Sequence, residues 1–227
     1  MVGGSYRGQR FNEKEIEMTE QIEQRSPEWF AARLGKVTAS RVADVIAKTK
    51  SGYSTSRDNY MAQLVCERLT GQQGESFTNA AMQHGTETEP LARSAYEAYA
   101  DLMVEEVGFV QHPKIEQAGA SPDGLVGLFG MLEIKCPNTA THIDTLLTQT
   151  VPTKYITQMQ WQMRCCERQW CDYVSFDNRL SAELQLFVKR VEFDAAYVAM
   201  LEEEVNLFLK ELDNKVTKLN NLKAKNV

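Results

Sequence analysis

Apolar positions recur at helical spacing through most of the first hundred residues, then switch to strand-like runs near the middle of the chain. Ser26-Pro27-Glu28 has the make-up of a helix start: a cap, a proline in the first turn and an acid at the positive end of the dipole. Trp29, Phe30 and Leu34 give that helix an apolar side, and Gly35 ends it. Thr38 can cap a second helix with Val42, Val45 and Ile46 on one face. A polar loop follows over 49–57, a third helix is predicted over 58–69 with a stop at Gly71, and a fourth over 78–101. Pro90 lies inside the fourth and removes one ladder bond, which predicts a kink or a restart there.

Segments 104–111, 117–120 and 130–136 read as strands, and 141–148 and 152–167 as helices. Segments 170–176 and 183–191 read as paired strands, and 194–222 as a long amphipathic helix. That order predicts an α/β fold with a central mixed β-sheet flanked by helices. No repeat or long linker divides 20–227, so it is expected to form one domain ending in the amphipathic helix. Residues 1–19 are expected to be a flexible arm or an expression-derived segment, their start being rich in Gly, Ser and Arg. No apolar run approaches the roughly 18 residues of a membrane helix, and the polar N-terminus carries no signal-peptide pattern.

Hydrophobic residues make up 43% and charged residues 25% of the 227, which excludes a disordered or low-complexity chain. The five cysteines are odd in number and form no C-x-x-C pair, as expected of reduced thiols in a cytoplasmic protein. Cys165, Cys166 and Cys171 lack zinc-site spacing.

Ser121 to Pro137 (SPDGLVGLFGMLEIKCP) is the stretch with chemistry in it. Asp123 sits between a proline and a glycine, at a tight turn. Glu133-Ile134-Lys135 follows inside an apolar strand, where alternation puts Glu133 and Lys135 on one face and Ile134 in the core. Two carboxylates and the Ile134 carbonyl are oxygen donors of the kind Mg²⁺ prefers. A lysine beside them can serve an attacking water and offset charge developing on a phosphate. A plain edge-strand Glu–Lys pair with a turn-forming aspartate is the competing reading.

The spacing P-D-G-x₈-E-I-K resembles the PD-(D/E)xK nuclease core, and the chain as a whole resembles the phage lambda exonuclease and YqaJ-type viral recombinase family. Five blocks carry the resemblance in order: RLGKVTAS (33–40), HGTETEPLA (84–92), SPDGL (121–125), LEIKCP (132–137) and YITQMQW (155–161). The resemblance implies a restriction-endonuclease-like core and a Mg²⁺-dependent, processive 5′-to-3′ exonuclease on double-stranded DNA, with Mn²⁺ able to substitute. It implies that Asp123, Glu133, the Ile134 carbonyl and Glu89 hold the metal. Lys135 would serve the water, and Gln158 would hydrogen-bond in the active site. Arg33, Thr38 and Ser40 would bind the terminal 5′-phosphate, as a guanidinium fork and hydroxyls can. Lys50 would contact DNA, and Met82 would wedge apart the terminal base pairs; the local basic charge adds Lys48 as an expected DNA contact. Arg33, Thr38 and Ser40 also fit as a helix-end charge and simple caps, and Met82 as core. The resemblance further implies a homotrimer, a single-strand annealing protein as partner, DNA ends as substrate, no membrane, and a phage or prophage setting in a bacterial cytoplasm. A structure-specific endonuclease or resolvase on the same core, and a catalytically silent DNA-end-binding protein, are the alternatives.

The net charge of −6 speaks against a uniformly basic DNA binder, but the average hides a pattern. Arg33 to Arg57 holds six basic residues and one acid, whereas Asp194 to Asn214 holds six acids and one lysine. The basic segment is expected to line the DNA path, which needs only a local positive surface. The acidic helix is expected to face away from it.

Overall fold

The computed structural model describes residues 22–74 and 80–225. The arm expected at 1–19 and the expected start of the fourth helix at Thr78 lie outside them. The first helix, α1 (Pro27–Arg33), begins as its cap requires: the Ser26 hydroxyl accepts the Trp29 N–H at 3.1 Å. The chain then forms a two-residue strand, β1 (Val37–Thr38), one 3₁₀ turn and the short helix α2 (Val42–Ile46). Thr38 makes no side-chain capping bond, so its expected role as a cap is not realised. Its backbone serves the strand instead, pairing in parallel with Gly119.

The loop expected over 49–57 is a hairpin, β2 (Lys48–Thr49) and β3 (Gly52–Tyr53), and α3 (Thr55–Thr70) starts earlier than its apolar periodicity suggested. Helix α4 (Ala80–Ala100) runs through Pro90 without the expected restart. Ala92 and Tyr96 are fully buried against the sheet, and that packing holds the helix in place despite the lost bond.

The strand expected over 104–111 is two strands, β4 (Val104–Glu105) and β5 (Val110–Gln111), in different sheets. β6 (Ala118–Ala120) joins β1 and β5 in a three-stranded sheet. β7 (Gly124–Val126) was hidden behind turn residues. It forms a hairpin with β8 (Gly130–Lys135). Helices α5 (Thr139–Thr148) and α6 (Thr153–Cys166), strands β9 (Trp170–Phe176) and β10 (Leu186–Glu192), and α7 (Ala195–Lys225) complete the chain. The main sheet has the order β10-β9-β8-β7-β4 and is mixed, because β8 and β9 run parallel while the other neighbours are antiparallel.

Both faces of this sheet are covered, which explains the nearly unbroken apolar runs of β8 and β9. Leu132, Ile134, Val174 and Phe176 point to α4, and Met131, Cys171 and Tyr173 point to α6 with Met159 and Met163. The other side of α6 sends Trp161 and Cys165 into a third core with α2, α3 and α7. Helix α6 is therefore buried nearly all round and fixes the sheet to the helical half. At the start of β8, a Cβ on Gly130 would collide with the Trp170 indole, on whose ring the Arg190 guanidinium stacks. Gly130→Ala should cost about 1–3 kcal/mol through displacement of that stack, read as a lowered denaturant midpoint.

The acidic helix does not face away from the basic segment. It packs on it: Lys48 pairs with Glu204 at 2.6 Å and Arg57 with Glu211 at 2.9 Å, and beyond the segment Arg68 pairs with Asp213 at 2.5 Å. The two opposite charge runs meet, so two of the six basic residues expected to line the DNA path, Lys48 and Arg57, are paired within the fold.

His112 joins the same region. It is 2% exposed and stacked on Trp161, its Nδ1 accepts the Lys114 and Ile115 N–H groups, and its Nε2 lies 3.2 Å from Glu202. Burial pushes it down to about 4, against the pull of Glu202. The neutral imidazole thus contributes stability that is present above the ordinary histidine range and lost as pH falls from about 6.5 towards 4. Melting curves should show this loss, and His112→Asn, which keeps an acceptor for both N–H groups, should flatten it.

Candidate active site

β7 pairs with β8 only as far as Leu132, opposite Gly124. Past that point the β8 backbone has no strand on its β7 side, and Asp123 fills the gap. Its Oδ2 accepts the Ile134 N–H at 2.6 Å. In an extended strand the N–H and C=O of one residue project to the same edge, so the Ile134 carbonyl faces the Asp123 side as well. The proline-aspartate turn and the apolar strand together place a carboxylate beside an open backbone edge.

Glu133 is 0% exposed, and among the described residues its carboxylate meets donors on both oxygens. Oε1 accepts the Gln158 amide at 2.6 Å and pairs with the Lys135 ammonium, and Oε2 accepts the Gln162 amide at 2.6 Å. The Lys135 ammonium also lies 5.2 Å from the centre of the Tyr155 ring. Burial, and then the charge of Glu133, push the Asp123 carboxyl well above the usual carboxylate range, although Lys135 pulls the other way. Burial pulls Lys135 down, but the Glu133 and Asp123 carboxylates outweigh it and hold the ammonium above its ordinary value. A half-buried and a fully buried carboxylate, Asp123 and Glu133, against one ammonium make a cluster with surplus negative charge.

The structure thus brings together Asp123, Glu133, Ile134, Lys135 and Gln158. Glu89 is different. Its carboxylate pairs with Arg25 at 2.9 Å and with Arg93 at 3.3 Å. Among the described residues, no group of three or more His, Cys, Asp and Glu side chains is placed to hold a metal ion. In this structure Glu89 is engaged by the two arginines rather than by the Asp123–Glu133 cluster. It is near enough to add to the rise at Asp123. The two-carboxylate set still suits Mg²⁺, which is commonly held by one or two carboxylates together with substrate phosphates. The surplus negative charge at Asp123 is the further sign of fit, since a dication there would hold both acids ionised.

Arg33, Thr38, Ser40 and Met82 share the lining of one cavity of about 340 Å³ with Lys36, Arg41 and Tyr60. Arg33 stacks over Trp29 at 4.0 Å and donates to the Ser121 hydroxyl at 2.9 Å, as does the Trp29 indole. Ser121 is two residues from Asp123, so this basic cavity is tied directly to the carboxylate cluster. Thr38 is buried, and its N–H donates to the Tyr60 hydroxyl at 3.1 Å. Helix α2 is too short to add a strong dipole. Met82 is 54% exposed on the cavity wall, not in the core. Lys50 is exposed at the β2–β3 turn, whereas Lys48 is bound to Glu204.

Ser121, Trp29 and Gln162 were not read as site residues. Gln162 had a signal: it lies four residues after Gln158, hence on the same helix face. His142 is a structural residue bonded to Ser175 and the Leu184 carbonyl. The cysteines are all free; burial pushes Cys136 and Cys166 up to about 12, which suits inert thiols. No helix among the described residues is long and apolar enough to cross a membrane.

The sequence pattern of the YqaJ-like viral recombinase domain matches residues 28–169. Among solved structures, an alkaline exonuclease (LHK-Exo) from Laribacter hongkongensis is 54% identical, with a TM-score of 0.84 over 89% of this chain and 100% of that one. The same figures hold for LHK-Exo in complex with dAMP. A phage-related exonuclease from Haemophilus somnus 129PT, at 16% identity and a TM-score of 0.67, covers 81% of this chain and 96% of that one and shares the fold. An uncharacterized protein, R354, of Acanthamoeba polyphaga mimivirus is 27% identical over 176 residues, which are 70% of this chain. The matched part spans 30% of that relative's length. The mixed sheet with helices on both faces is a PD-(D/E)xK-type core.

Proposed function

Because the chain belongs to the YqaJ-like viral recombinase family, we propose that it is a DNA exonuclease. In full, the reading is a Mg²⁺-dependent, processive 5′-to-3′ exonuclease on duplex DNA that leaves a 3′ single strand for annealing. The observation that carries it is the junction of two sites through Ser121: an Asp123–Glu133–Lys135 cluster, and a cavity lined by Arg33, Thr38 and Ser40. The likeness to an alkaline exonuclease over nearly the whole chain supports the same reaction class.

Arg33 and the Thr38 and Ser40 hydroxyls receive the terminal 5′-phosphate and set which bond reaches the carboxylates. Asp123, Glu133 and the Ile134 carbonyl hold Mg²⁺, which when bound supplies the positive charge that polarises the scissile phosphate. Lys135 keeps its proton between two carboxylates, so it orients the attacking water and offsets phosphate charge. Met82, exposed on the cavity wall, parts the terminal base pairs. Lys50 contacts the duplex outside the cavity. Lys50→Ala should weaken DNA binding across sequences and lower the salt slope by about 1, while Lys48→Ala should do less because Glu204 already holds it. The setting is a phage or prophage protein in a bacterial cytoplasm, working as a homotrimer beside an annealing protein.

Digestion of linear and closed circular duplex in Mg²⁺ and in chelator tests this reading. Linear DNA should be degraded only with the metal, and the closed circle should survive. Equal cutting of the circle would establish the endonuclease alternative instead.

A further inference from the structure

Glutamines 158 and 162 sit one turn apart on α6 and take opposite oxygens of the same carboxylate, each at 2.6 Å. The two are not equivalent. Gln158 shares Oε1 with Lys135, whereas among the described residues the Gln162 amide is the one donor to Oε2. Gln162 is fully buried, and its own Oε1 meets no hydrogen-bond partner among the described residues. An orphaned buried carbonyl is unfavourable, and an apolar side chain such as Met159 or Met163 on the same helix fills its space without that cost. What an amide adds at 162 is the N–H, and its target is Glu133.

The geometry points to Gln162 as a positioning residue: its N–H fixes the rotation of the Glu133 carboxylate and so turns Oε1 towards Lys135. Carboxylate torsions of this kind are broad and weakly held by the side chain itself. A neutral donor on the far oxygen sets the angle without cancelling the negative charge that a cation needs. This inference rests on the nuclease reading, since the value of a fixed Glu133 lies in metal and phosphate chemistry.

Gln162→Met keeps the length and flexibility of the side chain and removes the donor. Calorimetric titration with Mg²⁺ alone, without DNA, should show affinity weakened by about 10- to 100-fold, the range for partners that orient metal ligands. Nucleotide release should show kcat lowered by a similar factor with KM for duplex ends unchanged. Wild-type Mg²⁺ affinity and wild-type kcat in a folded Gln162→Met protein would overturn the proposal. The side-chain amide resonance of Gln162 in the wild-type fold offers a check that no folding defect at 162 can spoil. It should move on Glu133→Gln, and no movement would equally overturn the proposal. A wild-type protein that releases no nucleotide would sink the nuclease reading, while the Mg²⁺ titration still tests Gln162.

Discussion

Asp123→Asn should abolish Mg²⁺-dependent nucleotide release, by about 10³-fold or more, while leaving the protein as stable as before or more so. The loss follows from removing one of the two carboxylates proposed to receive the metal; loss of a single preorganised electrostatic group in a water-excluded site typically costs about 10²–10³ in rate, and loss of a ligand should cost more. The stability follows from what keeps Asp123 in place. Its carboxyl is held well above the usual range, first by burial and then by Glu133, so the ionised form is an unfavourable guest in the metal-free fold. Asparagine retains an oxygen for the Ile134 N–H and removes the charge. In chelator, the wild type's contribution from this group is present below the unfolded carboxylate range and lost as pH rises through the folded value. Thermal melts in chelator should therefore show a downward slope with rising pH that Asp123→Asn reduces. A site kept for function at a cost in stability behaves this way.

Arg33→Ala should remove the preference for 5′-phosphorylated ends. The guanidinium is stacked on Trp29 and bonded to Ser121, so it is held in place before a phosphate arrives. Burial pulls its proton affinity down, against Tyr60 and Glu67, yet the group remains a cation at neutral pH. A charge-assisted hydrogen bond contributes about 1.5–3 kcal/mol, or about 10- to 100-fold in relative rate. The ratio of rates on phosphorylated and unphosphorylated ends should fall by that factor. Rates on unphosphorylated ends should change little, and Arg33→Lys should recover part of the ratio, since lysine supplies charge without the fork. An unchanged ratio would remove Arg33 from the phosphate role.

Strand β8 was legible because apolar residues at 132 and 134 leave Glu133 and Lys135 together on the other face. The depth of Glu133 was not, because burial there comes from α6, where Gln162 reads as an ordinary polar helix position. The hairpin strand β7 was masked by Asp123 and Gly124, since turn residues and a three-residue strand give no periodicity to detect. The long helices were visible from their apolar faces, but α4 shows sheet packing overriding a proline. Charge was the most misleading signal. Opposite runs 150 residues apart in sequence proved to be partners, as Lys48 with Glu204 and Arg57 with Glu211 show, and no local reading of either run contains that pairing. The Glu89 pairing with Arg25 was equally hidden, since Arg25 lies far from it in the chain and reaches it only in the fold.

The most direct measurement follows a duplex labelled at either the 5′ or the 3′ end of one strand, with a 5′-phosphate present, in Mg²⁺. The account predicts prompt release of the 5′ label as a mononucleotide, late release of the 3′ label, and neither with Asp123→Asn. Prompt release of the 3′ label, or release of the 5′ label by Asp123→Asn at the wild-type rate, would contradict it.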